Sequence, residues 1–96
     1  MLGQSHYSNG QKTQEQIGDV LIVYFKNGIV KAKGQFINKM MEGEWEFYRE
    51  NGLLWQIGHF SHHKPHGIWI RYNIQGKVEY TQVFNQGRKV CVPSKK

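Results

Sequence analysis

Cysteine occurs once in this 96-residue chain, at Cys91, and proline twice, at Pro65 and Pro93. A single cysteine excludes an intramolecular disulfide. It fits a reducing compartment, and the cytoplasm is the expected location. Long apolar runs are missing. The longest, Val20 to Val23, falls far below the ~20 apolar residues a membrane helix needs, so no transmembrane segment is expected. The opening MLGQSHYSNGQ has neither a charged start nor an apolar core and does not read as a signal peptide. Helical periodicity and heptads are absent. The glycines precede no helix, which excludes a phosphate-binding loop of the usual kind. Acidic residues are few, 7 against 13 Lys and Arg, for a net charge of +6.

What is present is aromatic and repetitive. Three Trp, five Tyr and five Phe make up 14% of the chain, a large share for a domain whose small size limits the surface it buries. The stretches 19–42, 43–66 and 67–90 align without a gap at a period of 24 residues. Tyr24, Tyr48 and Tyr72 share one column, Gly28, Gly52 and Gly76 a second, and Phe36, Phe60 and Phe84 a third. A fixed period of this size marks a repeat architecture, in which each unit buries its apolar side only against its neighbours. The whole chain, 1–96, reads as one domain: a partial N-terminal unit or cap (1–18), three repeats, and a basic tail (91–96).

Each unit reads as a β-hairpin. Asn27-Gly28 and Asn51-Gly52 stand between β-prone runs, as Asn9-Gly10 does in the cap. Asn-Gly is a strong hairpin signal because both residues tolerate positive φ. Gln75-Gly76 keeps only the glycine, so a looser turn is expected there. INKMME (37–42), SHHKPH (61–66) and Asn85-Gln86-Gly87 connect the units. The fold class expected is all-β, an antiparallel meander of stacked hairpin repeats. Alternation places Leu54, Gly58 and Phe60 on one face, as it does Val30, Gly34 and Phe36. The glycines leave room for a ring from the adjacent strand, and Trp45 and Trp69 are the expected rings.

The turn Tyr-x-x-Asn-Gly, the Gly-x-Phe strand and the following Gly-x-Trp-x-x-Tyr resemble the MORN repeat family. The closest likeness is to the variant in small bacterial proteins of the YwqK antitoxin type. The resemblance covers about 20–90 and is best in YRENGLLWQIGHFSHHKPHGIWIRY (48–72). Leu21, Asp19 and Gln75 depart from it where Trp, Gly and Asn would stand. It implies a meandering antiparallel sheet without catalytic residues or cofactor, acting as a protein-binding, antitoxin or membrane-associated module.

Chemistry-bearing clusters are weak. His59, His62, His63 and His66 fall within eight residues, but no cysteine is near and the first repeat carries Gln35, Asn38, Lys39 and Glu42 instead. A solvated turn is expected and not a metal site. Ser61 beside His62 lacks an orienting acid, so no enzyme is expected. The aromatic columns look committed to packing, which argues against nucleic acid as a partner. The apolar alternation of Val20 with Ile22, Ile68 with Ile70, and Trp55 with Ile57 has no such commitment. A single-layer sheet that is apolar on both sides needs a cover. Either the chain ends fold over this face or the sheet curls on itself, or these six residues are the surface for a protein partner or a homodimer, with Trp55 as anchor. The competing expectation is an adaptor for anionic membrane headgroups through Lys31, Lys33, Arg71 and Arg88.

Overall fold

The structure is a computed structural model and describes residues 6–90. Cys91 and the basic tail lie outside the described residues, as do residues 1–5. The described chain is all-β. Nine strands run β1 (Gln14–Ile17), β2 (Val20–Tyr24), β3 (Val30–Ile37), β4 (Met40–Tyr48), β5 (Leu54–Ser61), β6 (Lys64–Pro65), β7 (Gly67–Tyr72), β8 (Val78–Asn85) and β9 (Arg88–Val90). Every pairing is antiparallel. The order across the sheet is β1-β2-β3-β4-β5-β7-β8-β9, with β6 on β5. The sheet is open, with β1 and β9 at its edges. Its smallest dimension is 19 Å against 52 and 34 Å, so one layer makes up the thickness. Among the described residues no helix is long and apolar enough to cross a membrane.

Two kinds of turn alternate. The turns at Asn27-Gly28 and Asn51-Gly52 stand where the Asn-Gly pairs put them, but only the glycines take positive φ (+90° and +92°). These are three-residue loops, a type I turn closed by a left-handed glycine. Gly28 N–H donates to Phe25 O (3.0 Å) and Phe25 N–H to Ile29 O (2.8 Å), and the bonds recur at Arg49, Gly52 and Leu53. The asparagine has a different task from the one its φ tolerance suggests. Asn27 Oδ1 accepts from Ile29 N–H and Asn51 Oδ1 from Leu53 N–H, each at 3.0 Å. The turn at Gln75-Gly76 is not looser. Asn73 supplies the acceptor from another position, taking Gln75 N–H at 2.9 Å and Lys77 N–H at 3.0 Å.

At the opposite end the connections are tighter than their sequences suggest. Ile37 pairs with Met40, Ser61 with Lys64 and Asn85 with Arg88, so each loop is two residues. Asn38 and Lys39 (φ 52° and 65°), His62 and His63 (52° and 73°), and Gln86 with Gly87 (50° and 89°) adopt the left-handed pairs of a type I′ turn. Neighbouring turns also bond to one another. His63 N–H donates to Met41 O (2.9 Å) and Gly87 N–H to Pro65 O (2.7 Å). Such bonds compensate the positive φ of residues with a Cβ.

The core lies on one face. Trp45 is the largest fully buried side chain, 2% exposed, with Leu21 and Ala32 buried beside it. Its ring occupies the space a Cβ on Gly34 would need: that Cβ would stand 2.3 Å from Trp45 Cγ. Gly58 relates to Trp69 in the same way, at 2.4 Å. Each indole N–H donates at 2.9 Å to the carbonyl one residue past its glycine, Trp45 to Gln35 O and Trp69 to His59 O. The ladder shifts register between Gly34 and Gln35, and the carbonyl that accepts the indole lies at that irregularity. From Trp45 the rings continue through Phe47, Phe60 and Trp69 to Phe84, each step with centroids 5.1–6.5 Å apart. Phe60, Trp69 and Phe84 meet edge to face, a favourable arrangement for ring quadrupoles.

Candidate functional site

The register across the sheet places the expected binding residues. On the face opposite the aromatic row, Glu15, Ile22, Lys33, Glu46, Ile57, Ile70 and Thr81 stand side by side on successive strands. Val20 and Ile22 share this face with Ile57, Ile68 and Ile70. Lys33 and Glu46 separate the two groups, and their charged ends lie 4.0 Å apart. The six apolar residues therefore form no single patch. Ile57 pairs directly with Ile70. Ile68, 50% exposed, pairs with Val83, which pairs in turn with Val90. Val83 and Val90 extend this surface and were not singled out in the sequence.

Trp55 is on the other face. Phe47 pairs with Gln56 and Tyr48 with Leu54, leaving Trp55 as the extra residue of a bulge. A bulge interrupts the two-residue alternation. The Trp55 ring lies 5.0 Å from the guanidinium of Arg71, which stacks on Tyr80 at 4.7 Å. Arg71 shares the face of Trp69 by alternation. The same irregularity leaves Lys31 unpaired between Ala32 and Val30, and Glu79 between Tyr80 and Val78. Leu54 and Val30 accordingly lie opposite Gly58 and Gly34, not beside them. Val30 instead lines a shallow depression with Lys33 and Tyr48.

The expected cationic set is also divided. Lys31 reaches over the Phe25 ring (5.8 Å), Lys33 engages Glu46 on the opposite face, and Arg71 lies between two rings on the aromatic face. Arg88 pairs with Asn85 at the β9 edge. No flat basic surface joins the four.

The histidines serve the backbone. His63 Nδ1 accepts from Met41 N–H (3.2 Å) and His66 Nδ1 from Gln86 N–H (3.1 Å), so neither of those nitrogens carries a proton. His59 Nδ1 donates to Ile68 O (2.8 Å). Among the described residues no three His, Cys, Asp or Glu come together to hold a metal ion. Ser61 Oγ lies 3.3 Å from His62 Nδ1. Glu42 accepts from the His62 backbone N–H (3.0 Å), so this carboxylate does not orient the imidazole as a hydrolytic triad would require.

Two tyrosines hold carboxylates. Tyr48 Oη donates to Glu46 Oε1 (2.7 Å) and Tyr24 Oη to Glu15 Oε1 (2.9 Å). The bond to Glu46, then burial and the negative charge, push the Tyr48 phenol up to about 12 from 10.0. The same causes raise Tyr24 through Glu15. The sign follows from linkage: a raised acid contributes stability that is complete below the ordinary tyrosine range and is lost as pH climbs through the folded value. In an alkaline absorbance titration Tyr48 is expected to ionise near pH 12, and Glu46→Gln is expected to bring it down.

Comparison with protein-family models, curated proteins and solved structures yields no match to this chain.

Proposed function

We propose that this chain is a non-enzymatic protein-binding module, a short stack of 24-residue hairpin units of the MORN-variant type. An antitoxin- or immunity-like role is the specific form the resemblance implies. The repeated placement of Trp45 on Gly34 and Trp69 on Gly58 supports the stack. The observation that carries the binding reading is the uncovered apolar surface of Ile57, Ile68 and Ile70, with Ile68 half exposed. No described segment packs on it, and exposed apolar surface of this kind favours association. The competing membrane reading has less support because Lys31, Lys33, Arg71 and Arg88 do not share a face.

Replacing Ile57 and Ile68 together by Thr keeps β-branched residues in the strands and removes the apolar surface. Unfolding is expected to stay cooperative while association is lost, read by light scattering for self-association and by co-purification for a partner. Unfolding of the double variant would make the surface core. Association that survives it but disappears on Lys31→Glu with Lys33→Glu would favour anionic lipid.

A further inference from the structure

The face opposite the aromatic row is symmetric in character about one line, the seam between β3 and β4. Lys33 on β3 pairs across that seam with Glu46 on β4. One strand further out on either side stand two isoleucines, Ile22 on β2 beside Lys33 and Ile57 on β5 beside Glu46. The third strand on either side is β1 or β7. Two residues along from the Lys33–Glu46 row, these strands present Ile17 and Ile68, 59% and 50% exposed. Charge of opposite sign therefore lies at the seam, and isoleucine lies at matching distances to its left and right.

A face arranged in this way complements itself. Turning a second copy over about an axis along the seam lays β3 of one chain over β4 of the other, β2 over β5 and β1 over β7. Ile22 then meets Ile57, Ile17 meets Ile68 and Lys33 meets Glu46, each contact made twice, as a two-fold interface requires. Lys33 Nζ and Glu46 Oε1 already lie 4.0 Å apart within one chain. The second copy closes the two pairs into a square of four charges whose signs alternate. Sheets packed face to face lie ~10 Å apart with their strands within ~30° of parallel, a gap that facing isoleucines fill and that a lysine and a glutamate span together. Glu15, which would face Ile70, has its carboxylate engaged by Tyr24 Oη (2.9 Å) and Lys12 Nζ (3.6 Å). The sheet extends 52 by 34 Å, room for the ~800 Å² per partner that a stable interface of standard size buries.

We propose that this face docks on the same face of a second copy of the chain, as a two-fold dimer with its axis along the β3–β4 seam and Lys33 of each chain on Glu46 of the other. This assembly rests on the protein-binding reading and names the partner. The mirror arrangement selects the occupant. An unrelated protein needs no correspondence between the two halves of the face, whereas a second copy needs apolar opposite apolar and cation opposite anion at equal distances from one line. A lipid surface would meet a seam that carries both signs. The isoleucines that a lone sheet leaves exposed become the interior of a sandwich.

The test is sedimentation velocity of the full chain and of two charge reversals, at physiological ionic strength. The wild-type chain is expected to sediment as a dimer. Lys33→Glu makes the seam wholly acidic and Glu46→Lys makes it wholly basic. Each variant alone sets like charges against like across the interface, and its dimer is expected to weaken by at least about tenfold. Mixed in equal amounts, the two variants are expected to form a heterodimer, since the acidic seam of one then faces the basic seam of the other. Both variants also lose the pair within the chain, which mixing cannot restore, so recovery on mixing reports the contact between chains. Lys33→Glu with Glu46→Lys in one chain keeps every pairing and is expected to dimerise as the wild type does, with a cooperative urea transition. A wild-type chain that is monomeric at millimolar concentration would overturn the proposal. So would single variants that remain dimeric, a mixture that remains monomeric, or loss of the dimer in the doubly reversed chain. A monomeric wild type from which Ile57→Thr with Ile68→Thr still removes a co-purifying protein would overturn the second copy and leave the protein-binding reading standing.

Discussion

Trp45→Ala is expected to cost about 3–5 kcal/mol, the range for losing a buried aromatic side chain. A domain of this size has only about 5–14 kcal/mol of stability in all, so the variant should be largely unfolded at moderate urea. Among the described residues Trp45 is the one large side chain buried to 2%. It connects Leu21 and Ala32 to Phe47 and Phe60, and its indole N–H satisfies Gln35 O. Removing the ring exposes Gly34 and leaves that carbonyl without its indole donor. A double-mutant cycle sharpens the expectation. Gly34→Ala alone drives a Cβ to 2.3 Å from Trp45 Cγ. In the Trp45→Ala background the ring is gone and the same methyl enters empty space. Gly34→Ala should therefore be strongly destabilising alone and nearly neutral in the double variant, a coupling set by direct contact. Additive costs, measured by urea unfolding, would show that the ring does not depend on the glycine.

Gly58 and Gly52 sit in the same hairpin and are expected to fail for different reasons. A Cβ on Gly58 would meet Trp69 Cδ2 at 2.4 Å, although its φ is ordinary. Overpacking of this kind costs about 3 kcal/mol, and the Trp69 ring can yield only by giving up its bond to His59 O. Gly52 has nothing within 4 Å of its Cβ position but stands at φ +92°. Its replacement by Ala costs about 1–2 kcal/mol of backbone strain. Asn tolerates the left-handed region and should recover part of that loss at 52, while at 58 it should be worse than Ala. Urea midpoints for the four variants check this. A rescue by Asn at 58, or none at 52, would reverse the two assignments.

Strand polarity, the antiparallel meander and the glycine turns are legible in the sequence because they depend on local chemistry. An Asn-Gly pair between β-branched runs needs no distant contact to turn, and the spacing of Gly34 to Trp45 repeats in Gly58 to Trp69. The I′ turns at Asn38-Lys39 and His62-His63 are less legible, because neither second position is a glycine. Their strain is offset by bonds to a neighbouring hairpin, such as His63 N–H to Met41 O. Simple alternation misplaces Trp55 for a physical reason. Alternation assumes one residue against one across the ladder, and the bulge between Leu54 and Gln56 sets two against one. Nothing in the side chains of 53–57 announces that extra residue. Only the pairing with β4 creates it, carrying Trp55 to Arg71 and away from Ile57.

The sequence by itself determined that this chain is all-β, antiparallel and built around small–aromatic pairs, since those features follow from turn chemistry and side-chain volume. The tertiary structure alone decided which residues share a surface. Lys33 and Glu46 divide the apolar face, the four expected cations separate, and Arg71 gains two rings. These juxtapositions depend on register between strands, and register is set by the bulges and by the indole bonds that accompany them.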